Sequence, residues 1–229
     1  MRDASPPSAC MIFAAGFGTR MKPLTDTKPK PLIEVAGKTL LRHALDPAQA
    51  AGLGPIVVNA HYLAEQIVDA VAGEDINVSI ETPNVRDTGG GLKHALQHLG
   101  AGPVLTMNSD AVWNGPNPYQ VLIEAWRPGE MDALLLVCPM ERAHGRDDAG
   151  DFTIGSDGRP TRGPGSVYCG AQIIKPAPVA EHLEDVFSLN RIWDKSMAQG
   201  RLYTCDYPGE WCDVGRPDAI PVAEAMLHV

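Results

Sequence analysis

Ala9-Cys10-Met11-Ile12-Phe13-Ala14-Ala15-Gly16-Phe17-Gly18-Thr19-Arg20-Met21 is an apolar run that ends abruptly in a glycine-rich turn. A short apolar run closed by small residues reads as a buried strand, here Ala9–Ala15, that delivers its C-terminal end to a loop. The small side chains of Ala14, Ala15, Gly16 and Gly18 let the backbone pass close to a bulky anion. Successive amides, with Thr19, can then point at phosphate oxygens. Arg20 adds a planar, permanently charged donor fork.

Two familiar phosphate loops are excluded. A dinucleotide fingerprint needs Gly or Ala at position 21, where Met21 stands. A Walker loop needs Gly-Lys-Ser/Thr after four spacers, and none follows. Taken alone, Gly16-Phe17-Gly18 is equally compatible with a plain strand-to-helix turn. The continuation Pro23-Leu24-Thr25-Asp26-Thr27-Lys28-Pro29-Lys30-Pro31-Leu32 adds information. Proline fixes its own φ and restricts the residue before it. Lys30, framed by two prolines, sits on stiff backbone with its ammonium aimed.

Outward from the loop, apolar runs at Gly54–Ala60, Ile76–Glu81, Pro103–Asn108, Ala133–Val137 and Ser166–Ile174 read as further buried strands. Amphipathic stretches at Thr39–Ala51, Leu63–Ala72 and Gly90–Leu99 alternate with them. Strands alternating with helices predict an α/β fold, a Rossmann-like and mainly parallel (mixed) sheet flanked by helices. After about residue 140 the chain turns rich in Gly, Pro, Arg and Asp. Met140–Gly165 reads as hairpins and loops, followed by helices at Ala180–Gln199 and Pro217–Leu227, the last disturbed at its start by Pro221. No repeat or flexible linker interrupts the chain, which reads as a single domain over residues 1–229.

Bulk properties narrow the partners. With 229 residues, 44% apolar and 21% charged, the chain has the composition of a globular protein. Its net charge of −9 and 6% aromatic content oppose nucleic-acid binding. No stretch reaches the ~18 apolar residues of a membrane span, and Met1 to Ala9 lacks the order of a signal peptide. Cys10, Cys138, Cys169, Cys205 and Cys212 are scattered, without Cys-x-x-Cys spacing. A reduced, cytoplasmic chain without zinc is expected. Oligomeric state is open between a monomer and a small homo-oligomer.

Carboxylates at strand ends suggest a metal. Asp110 follows the run Pro103–Asn108 through Ser109, where a parallel strand ends. Asp213 lies among apolar neighbours in Trp211-Cys212-Asp213-Val214-Gly215. Each alone is equally a turn aspartate; beside the loop and Lys30 they fit a divalent cation. Asp87-Thr88-Gly89-Gly90-Gly91-Leu92 precedes the third helix, with glycines for close backbone approach and Thr88 as a candidate cap.

The run Gly16-Phe17-Gly18-Thr19-Arg20, Pro23-Leu24-Thr25, Pro29-Lys30-Pro31-Leu32 resembles the signature of the sugar-phosphate nucleotidyltransferases. The resemblance covers the chain from about Cys10 to the C-terminal helix and is nearest to short bacterial N-acetylmuramate-1-phosphate uridylyltransferases. Short mannose-1-phosphate guanylyltransferases look much the same. It implies the nucleotide-diphospho-sugar transferase type of fold, with a nucleotide-binding half at about 9–140 and a sugar-phosphate-binding half at about 141–229. The implied reaction transfers a nucleoside monophosphate from a nucleoside triphosphate, UTP favoured, to a sugar-1-phosphate, N-acetylmuramate 1-phosphate favoured, with release of pyrophosphate, in cell-wall (peptidoglycan) recycling.

The resemblance also implies roles for residues. Arg20 and Lys30 are catalytic. Ala14, Ala15, Gly16, Gly18, Thr19, Thr88, Gly89, Gly90 and Asn108 bind nucleotide. Asp151, Gly170 and Asn190 line the sugar-phosphate pocket, and Asp110 and Asp213 hold Mg²⁺. Ser109 departs from the glycine common before the first aspartate, and Thr82-Pro83 from a glutamine that reads the base. No Glu-Lys pair is found in the second half; His144-Gly145-Arg146 is a candidate replacement. A nucleotide-sensing, catalytically silent subunit keeps such a fold but loses the charged site. Here Arg20, Lys30, Asp110 and Asp213 are all present, which favours an enzyme.

Overall fold

Seven strands form one sheet in the computed structural model, which describes residues 6–228. The N-terminal reading and the domain limits therefore extend past the described residues at both ends. In chain order the strands are β1 (Ala9–Phe13), β2 (Ile56–Ala60), β3 (Ile76–Ile80), β4 (Val104–Asn108), β5 (Ala133–Cys138), β6 (Val167–Ile174) and β7 (Leu202–Asp206). Their spatial order is β7-β5-β6-β4-β1-β2-β3. Every neighbouring pair is parallel except the two made by β6, which runs against β4 and β5. The sheet is thus mixed, as expected.

The first six strands fall on the runs identified by hydrophobicity. Five of them read as continuous apolar stretches because both faces are covered, while β3, at the edge of the sheet, alternates Ile76, Val78 and Ile80 with polar residues. On one face Cys10, Ile12, Val58, Leu105, Leu134 and Ile173 pack with Leu41 and Leu45 of α1 (Leu40–Ala50). On the other, Met11, Val57, Val104 and Leu135 pack with Leu92 and Ala95 of the helix at Asp87–Leu99. Each such side chain, fully buried, contributes roughly 1.5–3 kcal/mol. A polar residue on either face therefore needs a reason. Helix α1 starts where Thr39 Oγ1 accepts from Arg42 N at 3.3 Å, an N-cap. Helix α2 is Ala64–Ala70, the helix at Asp87–Leu99 is α3, and α4 is Pro118–Ala125.

Two helix expectations need correcting. The stretch expected as one helix from Ala180 to Gln199 is two, α5 (Pro176–Ala180) and α6 (Asn190–Ala198). Residues 181–189 between them cross the start of α3 as irregular chain. Phe187 O accepts from the amides of Gly89 and Gly90, at 2.8 and 3.1 Å. That tertiary docking overrides local helix preference. Helix α3 also starts earlier than expected, at Asp87, so its three glycines lie inside the first turns. The last helix, α7 (Ala219–Met226), has Pro221 near its start, where the missing N–H is tolerated.

A small sheet closes one end. Glu210–Asp213 pairs antiparallel with Ala111–Asn114 and parallel with Ala143–His144. Val112, Cys212 and Val214 pack there against Ala223 and Met226 of α7. All five cysteines are free. Among the described residues no helix is long and apolar enough to cross a membrane.

Candidate active site

The chain leaves β1 and β4 side by side, at the point where the connections diverge to opposite edges of the sheet. Open α/β sheets form ligand crevices there. A cavity of about 490 Å³ opens at this point, lined by the glycine-rich loop, Lys30, Asn108 and Asp110. A second, of about 380 Å³, adjoins it toward β6 and α6. Phe13, Arg20, Asp87, Thr88, Asn108 and Asp110 line both.

Glycine is required at position 18. Its φ is +61°, and a Cβ there would stand 2.8 Å from Lys30 Cβ. Thr25 Oγ1 donates to Gly18 O at 2.9 Å and ties the two arms of the loop together. Gly16 differs, because a Cβ there would meet nothing within 4 Å. Its open side leaves room for a ligand. Lys30 follows the extended Pro29 and starts a single 3₁₀ turn with Pro31 at its second position. The proline frame aims the side chain inward: Lys30 is 9% exposed, and its Nζ lies 3.0 Å from Asp110 Oδ2.

Asp110 and Asp213 meet through the small sheet. Asp213 is registered opposite Ala111, and Val214 N donates to Asp110 O at 2.7 Å. Burial pushes the Asp213 carboxyl up to about 6, and the Asp110 carboxylate pushes the same way against Lys30, Arg20 and Arg146. A buried carboxyl pushed up by a neighbouring carboxylate invites a cation. Among the described residues no third His, Cys, Asp or Glu joins them. A hard divalent ion that keeps waters and takes substrate phosphates suits such a pair better than zinc does. Arg20 lies beside them. A Cβ on Gly215 would be 3.2 Å from Asp213 Oδ1 and 3.3 Å from Arg20 Nη1.

Behind the loop lies a buried polar relay. Ala14 N donates to Asn59 Oδ1 at 2.7 Å, Asn59 Nδ2 to Glu81 Oε1 at 2.7 Å, and Arg86 N to Glu81 Oε2 at 2.7 Å. Asn59 and Glu81 are almost fully buried and line the first cavity. The relay fixes the end of β1 and the approach to α3. Ser109 acts similarly: its Oγ donates to Phe13 O at 2.6 Å and so straps β4 to β1. The departure from glycine at 109 has this structural use.

The second cavity has two arginines on one wall, each paired with an aspartate. Asp151 Oδ1 accepts from Arg146 Nη2 at 3.2 Å, and Oδ2 from Tyr168 N at 2.9 Å. Arg162 donates to Asn190 Oδ1 at 2.8 Å and to Asp194 Oδ1 at 2.9 Å, and lies over the Phe152 ring. Gly170, in the bulge of β6 between Tyr168 and Gln172, has φ +77°. A Cβ there would stand 3.0 Å from Asn108 Nδ2.

A family model described as a MobA-like NTP transferase domain matches residues 10–196. The chain belongs to this family. The N-acetylmuramate alpha-1-phosphate uridylyltransferase of Caulobacter vibrioides is 37% identical to it, over 96% of this chain and 97% of that protein. The enzyme of the same name from Neisseria meningitidis is 34% identical, over 94% and 96%. A solved structure described as a putative glucose-1-phosphate thymidylyltransferase from Bacillus anthracis superposes with a TM-score of 0.80 at 15% identity. That match covers 96% of this chain and 94% of the other. The chain is a sugar-1-phosphate nucleotidyltransferase with the nucleotide-sugar transferase fold.

Within this transferase site, most residues singled out by sequence line the two cavities: Ala14, Ala15, Gly16, Gly18, Thr19, Arg20, Lys30, Thr88, Asn108 and Asp110 the first, Asp151, Gly170, Asn190 and Asp213 the second. Gly89 and Gly90 line neither. Their amides are held by Phe187 O, and a Cβ on Gly90 would stand 2.2 Å from Asp185 O. They are packing glycines. Thr88 does not cap α3 but accepts from Leu189 N at 3.0 Å. The Ala14 amide is held by Asn59, and the Asp151 and Asn190 side chains bond the protein, so these three shape the site through their neighbours. Of His144-Gly145-Arg146, only Arg146 reaches the second cavity; His144 pairs with Glu210.

Sequence reading missed Glu81, Arg162, Gln172 and Trp193. Glu81 is the last residue of a strand-like run, directly before Thr82-Pro83, and a carboxylate ending an apolar run was a usable signal. Arg162 ends a three-residue hairpin strand, Pro160–Arg162, too short to show a periodicity.

Proposed function

We propose that this transferase joins UMP from UTP to N-acetylmuramate 1-phosphate, releasing pyrophosphate. The observation that carries the reading is the meeting of Lys30 with the Asp110–Asp213 pair on the boundary between two adjoining cavities. The first suits a nucleotide and the second a sugar phosphate, in line with a nucleotide-binding half before about residue 140 and a sugar-binding half after it. UTP and the amino sugar acid are favoured by the two uridylyltransferases that are 37% and 34% identical to the chain.

An oxygen of the sugar phosphate attacks the α-phosphorus in line, and the bond to the β-phosphate bridging oxygen breaks. Two anions approach in this step, and even at an effective ε near 20 unit charges ~4 Å apart repel by about 4 kcal/mol. Lys30 is buried and already directed at the junction, so it stabilises charge on the α-phosphate without reorganising. Arg20 and the amides at Gly16 and Gly18 hold the β- and γ-phosphates. Arg146 and Arg162 orient the sugar phosphate. A divalent cation held by Asp110 and Asp213, Mg²⁺ in this reading, supplies charge neutralisation when bound.

The test is pyrophosphate release with Mg²⁺ from each of four nucleoside triphosphates against N-acetylmuramate, mannose, glucose and N-acetylglucosamine 1-phosphates. The highest kcat/KM is expected for UTP with N-acetylmuramate 1-phosphate. A preference for GTP with mannose 1-phosphate overturns the substrate assignment. No release with any pair overturns the enzyme reading in favour of a silent subunit.

A further inference from the structure

The floor of the second cavity carries a hydrogen-bond donor that the protein leaves unpaired. Gln172 is fully buried in β6 yet lines the cavity. It interrupts an otherwise apolar strand, between Ala171 and Ile173. Trp193 Nε1 donates to Gln172 Oε1 at 2.8 Å. An indole N–H can only donate, so the amide is oriented with its oxygen on Trp193 and its nitrogen on the other side. That Nε2 is buried and, among the described residues, makes no hydrogen bond, although the Tyr168 hydroxyl lies close to Gln172 and Thr106. Thr106, its registered neighbour across β4, also has a buried Oγ1 without a partner.

Trp193 does not by itself account for the glutamine. The indole nitrogens of Trp113, Trp126 and Trp211 are buried without partners in this same chain. Two of these, Trp113 and Trp126, lie outside the second cavity, so an unbonded indole is tolerated without a ligand, and a leucine at 172 would fill the strand face. The Trp193 contact orients the glutamine for something else. Gln172 differs from the packed indoles in being fixed at one end by a hydrogen bond while it lines the cavity, so its free nitrogen points to a ligand contact.

We infer that Gln172 Nε2 is a specificity contact that donates to the acyl carbonyl oxygen of a 2-acylamino sugar 1-phosphate. The inference rests on the proposed sugar-phosphate reaction. Anionic groups have Arg146 and Arg162 in the same cavity, which leaves the neutral amide to an uncharged acceptor. A hydroxyl would bring a proton needing its own acceptor, while Gln172 Oε1 and both Asp151 oxygens are already engaged. A carbonyl oxygen accepts only, and matches a donor-only site.

The test compares kcat/KM for N-acetylmuramate 1-phosphate and its 2-hydroxy analogue, in the wild type and in Gln172→Met and Gln172→Glu. The wild type is expected to prefer the acetamido sugar by about 10- to 100-fold, the effect of leaving one buried donor unpaired. Both variants are expected to lose most of that ratio, through the KM of the sugar phosphate. If the wild type shows no preference, the inference fails whether or not the variants fold. If the variants keep the wild-type ratio, a water satisfies Nε2 and the inference fails while the reaction stands. If the wild type turns over neither sugar phosphate, the reaction itself fails and takes the inference with it.

Discussion

Lys30 and Asp110, 80 residues apart in sequence, form a 3.0 Å ion pair in which the lysine side chain is almost fully buried and the aspartate partly so. The pair links the proline-framed loop to the end of β4 and so connects the phosphate-binding loop with the cation pair. Its position sets the first expectation. In Lys30→Ala the triphosphate keeps Arg20 and the loop amides but loses the charge aimed at the α-phosphate. A donor used chiefly in the transition state contributes about 10²–10³ in kcat. Steady-state kinetics are expected to show a fall of that order, with the KM for nucleotide within about threefold. Unchanged turnover sinks the role.

Asp213 links the site to pH. Its carboxyl is raised from 3.8 to about 6, by burial first and Asp110 second. The folded protein therefore holds this proton more tightly than the unfolded chain does. With the cation chelated, the contribution of Asp213 to stability falls as pH climbs from about 4 to about 6 and is level above that. At about 1.4 kcal/mol per unit, Asp213→Asn is expected to gain about 1–3 kcal/mol over wild type at pH 7.5 and nothing near pH 4. Urea unfolding in chelator measures this. Titration calorimetry of wild type should show Mg²⁺ or Mn²⁺ affinity dropping below pH 6, as the proton competes with the cation. A pH-independent difference between the two proteins would remove the carboxylate pair from the account.

The sequence was legible where one local pattern had one structural solution. Strands buried on both faces read as continuous apolar runs, so β1, β2, β4, β5 and β6 were visible, and β3 showed through the alternation of Ile76, Val78 and Ile80 at the sheet edge. Lys30 was visible because two prolines restrict its backbone. Strand β7, Leu-Tyr-Thr-Cys-Asp, went unseen because the polar Thr204 and Asp206 of its less buried end break the run. The docking of residues 181–189 on α3 was also unreadable. It depends on Gly89 and Gly90 meeting Phe187 about a hundred residues away, and nothing local signals such a contact. Arg162 and Gln172 escaped for the same reason: their neighbours come from α6.

Gly170 makes a stability expectation. Its φ of +77° and the 3.0 Å approach of Asn108 Nδ2 both oppose a side chain. Gly170→Ala is expected to cost about 1–3 kcal/mol in denaturant unfolding. The Asn108 side chain must also move, and because it lines both cavities the KM of both substrates is expected to rise. A variant of wild-type stability would show that the bulge relaxes freely and that the glycine serves no packing purpose.

Gly90 separates two explanations of the glycine-rich start of α3. If these glycines let the backbone approach the base, Gly90→Ala should change the choice among nucleoside triphosphates. The geometry predicts another result. A Cβ on Gly90 would stand 2.2 Å from Asp185 O, backbone that cannot rotate away as a side chain would. Residues 181–189 must then lift off α3, and with them Ser188, Leu189 and Asn190 of the second cavity. The expected outcome is a rise of roughly tenfold in the KM for sugar phosphate, with the ranking of the four nucleotides preserved and stability lowered by about 1–3 kcal/mol. A reordered nucleotide preference with an intact sugar-phosphate KM would return these glycines to the base pocket.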